Sequence, residues 1–278
     1  MFPIHPRDKS VVLAIGAHPD DIELGCGGIL QRLRSEFRVE IYYAILTCAD
    51  FNTTPANYNS SKRTDEALRA AAILLDESQR VIQEKGRVTF GGMRDGELSQ
   101  MGTQLTDFLK AQIQRFTCRS FDLIFTHSSD DGHPDHRSVC DATLSAACDF
   151  HGTVLSYQSP STRPCGFHPN LFVELTAEQM ELKDRMLNEH RTQSGKGFMT
   201  QRNVRNATRP WVVYHRLYES ECEAFRIQYS VWPSVSSQSS IGSTRSSQKG
   251  LPKPQSSKTE TAPLYIPPDD TSSHSASE

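Results

Sequence analysis

The stretch AHPDDIELG, Ala17–Gly25, places a histidine, a proline and two adjacent aspartates directly behind an apolar run, VVLAIG. Neighbouring carboxylates repel each other, and burying both is costly unless a cation compensates them. A second stretch of similar chemistry, THSSDDGHPDHR over Thr126–Arg137, ends another apolar run, FDLIFT. Together the two stretches supply His18, Asp20, Asp21, Asp131, His133, Asp135 and His136. Two histidines and a carboxylate drawn from two loops can form an open zinc site, with a position left for water. One aspartate of the pair can then ligate the metal while the other acts on the water. Taken alone, His18 and Asp20 fit a capped turn equally well, because aspartate favours turns. The HPDH loop behind a second strand tips the balance toward a metal.

These loops need a frame that brings them together. Ser10–Gly16 is a continuous apolar run, as expected of a strand covered on both faces. Val39–Leu46, Arg87–Phe90 and Phe121–Thr126 are further predicted strands. Helical spacing is read at Gly27–Glu36, Ser61–Asp76, Thr103–Phe116, His136–Phe150 and Ala177–His190. Val154–Tyr157, Leu171–Leu175 and Ala224–Tyr229 are expected as edge strands. Alternating strands and helices predict an α/β fold, a mostly parallel sheet with helices on both faces. In such sheets functional groups gather at the carboxyl ends of the strands. Both histidine loops therefore belong on one edge of the sheet.

Composition narrows the function. The 278-residue chain has a formal charge of −3, so nothing marks it as a nucleic-acid binder. Its seven cysteines form no CxxC pair, which favours reduced thiols and a cytoplasmic location. No stretch reads as a signal peptide or an integral membrane segment. From Val231 to Glu278, 14 of 48 residues are serine, so 231–278 is read as a disordered Ser/Pro-rich tail behind a 1–230 domain. The glycine-rich turn GCGG is not G-x-G-x-x-G and lies well past the first strand, which excludes a dinucleotide site.

Seven blocks in order resemble the LmbE/PIG-L family of zinc-dependent de-N-acetylases: AHPDDIELGCGG, KRTDEALRAAAIL, RDGEL, THSSDDGHPDHR, FHPNLFVEL, HRTQ and ECEAFRI. The resemblance runs from Val12 to about Ile227 and implies a Rossmann-like fold. It implies one Zn2+ on His18, Asp21 and His136, with Asp20 as general base. His133 would face the reacting amide, with Asp135 as its carboxylate partner. Arg63 and Asp95 would bind the substrate, the alternatives being an exposed helix charge for Arg63 and an ordinary Asp-Gly turn for Asp95, and Asp131 would support the metal from behind or hold its loop. His127, His190 and Cys26 are expected to be structural. Gly25, Gly27 and Gly28 are expected to start the helix and let backbone pass near the site. The implied reaction removes an N-acetyl group from an N-acetylglucosamine-type conjugate, releasing acetate and an amine. The implied partner is that small molecule, with a homo-oligomer as the family's habit. A non-catalytic sugar- or partner-binding role is the alternative, which the retention of His18, Asp20, Asp21 and His136 disfavours.

Overall fold

The computed structural model describes residues 10–49, 60–115, 122–163, 166–217 and 221–231. The Ser-rich segment, apart from Val231, lies outside the described residues. Among the described residues seven strands form one sheet: β1 (Val11–Gly16), β2 (Glu40–Ala49), β3 (Val88–Arg94), β4 (Leu123–Thr126), β5 (Thr153–Tyr157), β6 (Leu171–Leu175) and β7 (Glu221–Ser230). The helices are α1 (Asp21–Phe37), α2 (Ser60–Leu75), α3 (Gln79–Glu84), α4 (Gly102–Gln114), α5 (Pro134–Ala146), α6 (Ala177–Leu187) and α7 (Gln201–His215).

The strand order is β3-β2-β1-β4-β5-β7-β6. β1 runs parallel to β2 and to β4, with Val12 opposite both Ile41 and Leu123. β3 and β5 extend the parallel set on either side, and β7 is antiparallel to both β5 and β6. β5 and β7 are thus interior strands rather than edges, because β7 returns between β5 and β6. β6 keeps its expected edge place.

The apolar runs explain the layering. Val12 and Ala14 pack on one face of the sheet, in a core with Ile22, Ile29 and Leu33 of α1 and Ala67 and Leu74 of α2. Val11, Leu13 and Ile15 pack on the other, with Leu105 and Leu109 of α4 and Val139 of α5. Successive side chains of a strand point to opposite faces, so only an unbroken apolar run satisfies both layers. Each large side chain buried this way contributes roughly 1.5–3 kcal/mol.

This topology fixes where a site can form. From β1 the chain winds outward to β2 and β3; from β4 it winds the opposite way to β5. The crevice between the carboxyl ends of β1 and β4 is the switch point of the sheet, where open α/β sheets bind ligands. HPDD follows β1 and THSSDDGHPDHR follows β4.

Candidate metal centre

The turn after β1 is pinned from two sides. The Ala17 amide donates to His127 Nε2 at 3.0 Å, and its carbonyl accepts from the Thr47 amide and hydroxyl at 2.9 and 2.8 Å. Pro19 fixes one backbone dihedral, and α1 then begins at Asp21 rather than near Gly27. Asp20 occupies the position before the helix, yet its side chain makes no capping hydrogen bond. The capped-turn reading of Asp20 is therefore not what the geometry gives. Its Oδ1 instead accepts from Arg63 Nη2 at 3.2 Å. The Asp21 carboxylate folds back, with Oδ2 accepting the His18 amide at 2.7 Å.

The second loop is built around Asp131. This buried carboxylate accepts from the His133 amide at 2.8 Å and from the hydroxyls of Ser159, Ser161 and Thr162. His133 caps α5: its Nδ1 accepts the Asp135 amide at 3.2 Å, and Pro134 takes the first helical position. Arg137 Nη1 closes the loop on the carbonyls of Asp131 and Gly132.

Three donor groups converge where the loops meet. His18 Nδ1 lies 3.2 Å from His136 Nε2 and 3.1 Å from Asp21 Oδ2, while His136 Nε2 lies 3.4 Å from Asp21 Oδ1. Tetrahedral zinc with bonds of about 2.0–2.1 Å separates its ligand atoms by about 3.3 Å. The spacing therefore fits one ion. The outer nitrogens fit as well. His18 Nε2 is 3.0 Å from Asp95 Oδ1, and His136 Nδ1 is 3.1 Å from Asp131 Oδ2. With an ion bound, each ring would keep a proton on the nitrogen beside its outer carboxylate and turn the other nitrogen's lone pair inward, the usual setting of a metal-ligating histidine.

Electrostatics follow from this crowding. Burial opposes charge on His18, but Asp21, Asp135 and Asp95 outweigh it and hold the imidazole well above its ordinary value. Burial likewise opposes charge on His136, but Asp21 and Asp131 raise it to about 9. Asp21 is held far below the carboxylate range, against its burial, by His136, His127 and His18. His133 is lowered by burial and by the neighbouring His18 and His136, which favours its neutral form. With Nδ1 accepting an amide, its proton sits on Nε2.

Clusters of donors also include His18, His133 and His136; Asp21, His127 and His136; and His18, Asp95 and Asp135. His127 is fully buried, stacked on His136 at 3.9 Å, and pushed by burial and His136 to about 4. Its Nε2 already accepts the Ala17 amide, so it is a poor ligand but packs directly against one. Asp135 differs from its expected pairing. Its carboxylate accepts the amides of Gly96 at 2.6 Å and Leu98 at 3.1 Å, and only its backbone amide meets His133.

The centre opens into a pocket of about 260 Å3 lined by His18, Asp20, Asp21, Arg63, Asp95, His133 and His136, with Leu24, Pro160, Ser161, Lys196 and Phe198 closing it. Arg63 is not an exposed helix charge. It is buried, and its fork reaches Asp20 and, at 3.4 Å, Asp95. His190 is buried, 3.3 Å from Glu23 Oε2. Cys26 is a packed core residue. Gly25 and Gly28 lie inside α1, where a Cβ would strike Tyr157 or Leu175. They bring the helix close to the sheet rather than starting it. Sequence reasoning missed Ser159, Ser161, Lys196 and Phe198. Only the place of the first two behind a strand end could have signalled them.

The family model described as GlcNAc-PI de-N-acetylase matches residues 13–147. The uncharacterized deacetylase YaiS of Escherichia coli (strain K12) is 31% identical over 182 residues, 65% of this chain and 90% of that protein. The N,N'-diacetylchitobiose deacetylase from Pyrococcus horikoshii superposes with a TM-score of 0.58 at 21% identity, covering 80% of this chain and 84% of its own. GalB, the 4-carboxy-2-hydroxymuconate hydratase of Pseudomonas putida KT2440, has a TM-score of 0.56 at 16% identity over 81% and 98%. The last two likenesses concern the fold, which evidently hosts more than one chemistry. With YaiS matched over nearly its whole length and the family model spanning both histidine loops, this chain belongs to the LmbE/PIG-L deacetylase family.

Proposed function

We propose that this protein is a zinc-dependent hydrolase that removes the N-acetyl group from an N-acetylglucosamine-type sugar conjugate. One observation carries the reading. His18 Nδ1, His136 Nε2 and Asp21 converge at 3.1–3.4 Å, while Asp20, the adjacent carboxylate, pairs with Arg63 and with neither histidine. His18, Asp21 and His136 would hold the ion, and their imidazole and carboxylate donors suit zinc. Bound there, the ion supplies Lewis acidity toward an amide carbonyl and toward water.

The chain's own groups do the rest. Asp20 borders the same pocket and takes the proton of the attacking water, then returns it to the departing amine nitrogen. Arg63 holds Asp20 in place and draws Asp95 to the same wall, where both can meet sugar hydroxyls. His133, neutral with its proton on Nε2, donates to the oxygen on which negative charge develops. That tautomer favours oxyanion stabilisation over acid catalysis. Asp135 locks the turn after β3 to the start of α5 through Gly96 and Leu98. It thereby sets Asp95 against His18.

Support for the substrate comes from the family's description and from the Pyrococcus horikoshii neighbour, whose substrate is a diacetylated disaccharide. The test is acetate release from N-acetylglucosamine and its glycosides by chelator-stripped and zinc-reconstituted protein. Release that depends on added zinc is expected. Equal release without metal, or none from any N-acetylated amino sugar, contradicts the reading.

A further inference from the structure

A second cavity, about 390 Å3, shares Leu24, Pro160 and Phe198 with the metal pocket. The two spaces therefore adjoin at these three residues. α1, α6, α7, β7 and the segment after β5 enclose the second. Its two charged lining groups cancel. Lys183 Nζ sits 2.6 Å from Glu223 Oε1 and donates to the Leu24 carbonyl at 2.8 Å. The Glu223 oxygens also accept the amides of Gly28 and Ile29 at 2.9 and 2.8 Å. A buried pair saturated in this way offers an incoming ligand no net charge.

What remains is neutral. Gln158 is oriented from two sides: Oε1 accepts from Trp211 Nε1 at 2.7 Å, and Nε2 donates to the Ala207 carbonyl at 3.3 Å. One of its two amide protons is left for a ligand. Asn203 Nδ2 donates to the Gly197 carbonyl at 2.8 Å, which leaves Oδ1 as an acceptor. These amides stand beside the apolar surfaces of Phe198 and Val204. A few fixed neutral polar groups among apolar walls suit an uncharged, hydroxyl-bearing ring. Among the described lining residues, a phosphate or carboxylate would meet no unpaired cation. Lys196 has no carboxylate partner among the described residues, but it lines the metal pocket, with its ammonium 5.7 Å from the centre of the Phe198 ring.

We infer that this cavity is the subsite for the group attached to the acetylated sugar, and that it selects a neutral, hydroxylated one such as a second sugar ring. The inference rests on the deacetylase reading and deepens it. The test uses the zinc-loaded full chain with N-acetylglucosamine, N,N'-diacetylchitobiose and N-acetylglucosamine 1-phosphate. Ala207→Phe fills the cavity from α7; Asn203→Ala removes a polar contact with less risk to folding. The wild type should favour the disaccharide over the phosphate. In Ala207→Phe the ratio of kcat/KM for disaccharide to monosaccharide should fall about tenfold or more, through KM. Asn203→Ala should lower it in the same direction. A ratio within about twofold of wild type in both variants, or a wild type that favours the phosphate, overturns the inference. If the wild type turns over none of the three, the deacetylase reading fails separately. Binding of chitobiose by calorimetry then decides on the subsite: weaker binding to the variants supports it, and unchanged binding overturns it.

Discussion

His18 and His136 each face a carboxylate with one ring nitrogen and the candidate metal position with the other, and this makes the centre sensitive to protons. His136 rises to about 9 in the metal-free site and His18 also rises. Folded values above the unfolded value of about 6.5 mean that the protonated rings stabilise the metal-free protein fully below about pH 6.5. For His136 that contribution is lost as pH climbs to about 9. An ion needs both lone pairs, so it must displace those protons. Zinc affinity should therefore strengthen between about pH 6.5 and about pH 9, by about tenfold per pH unit for each proton released. Melting of the stripped protein should weaken over the same window. Chelator competition across that range checks the first expectation; an affinity flat with pH contradicts it. Asp131 provides a second lever. Asp131→Ala removes the partner of His136 Nδ1 and the anchor of three hydroxyls. Zinc affinity should fall about 10–100-fold with His136 itself intact. Near-parent affinity would show that Asp131 only holds the loop.

Among the elements, α1 shows why local sequence preference misled at one point. Glycine is a weak helix former, so GCGG reads as a break and the helix is expected only from Gly27. The helix in fact runs through all three glycines from Asp21. Tertiary packing decides the matter: Gly25 lies against the Tyr157 ring and Gly28 against Leu175 and Glu223. Tyr157 in turn donates to the Ile15 carbonyl at 2.8 Å and meets His127 Nε2 at 3.0 Å, so α1 is seated on a side chain that backs the centre. Gly25→Ala gains up to about 1 kcal/mol of helix propensity but forces that ring aside. The clash should win, with a net loss of about 1 kcal/mol or more. Denaturant unfolding checks this, and equal or higher stability in Gly25→Ala would contradict it. Similar packing logic hid α7 from the sequence, where Pro210 interrupts a polar stretch. It also hid the burial of Arg63, which only the fold brings to Asp20 and Asp95.

For the whole molecule, what the residues announced was the pairing of two loops at the switch point. The apolar runs VVLAIG and LIFT are legible because a strand buried on both faces has no polar alternation to blur it. HPDD and HPDH sit behind them, so their convergence followed from topology alone. The order of β5, β7 and β6 was not legible, since strand adjacency depends on long-range pairing rather than on local pattern. The same holds for Asp135, whose partners Gly96 and Leu98 come from a distant turn. Among the described residues no helix is long and apolar enough to cross a membrane. In the proposed mechanism two chemically identical neighbours divide the labour, Asp21 beside both histidines and Asp20 beside Arg63. The most direct test measures zinc per chain and acetate release in Asp20→Asn and Asp21→Asn. Asp20→Asn should keep its zinc and lose roughly 10²–10⁴-fold in kcat, the usual worth of a general base. Asp21→Asn should lose zinc on dialysis and recover part of its activity when zinc is added. A zinc-free Asp20→Asn beside a zinc-loaded, inactive Asp21→Asn, or near-parent turnover in both, would contradict the account.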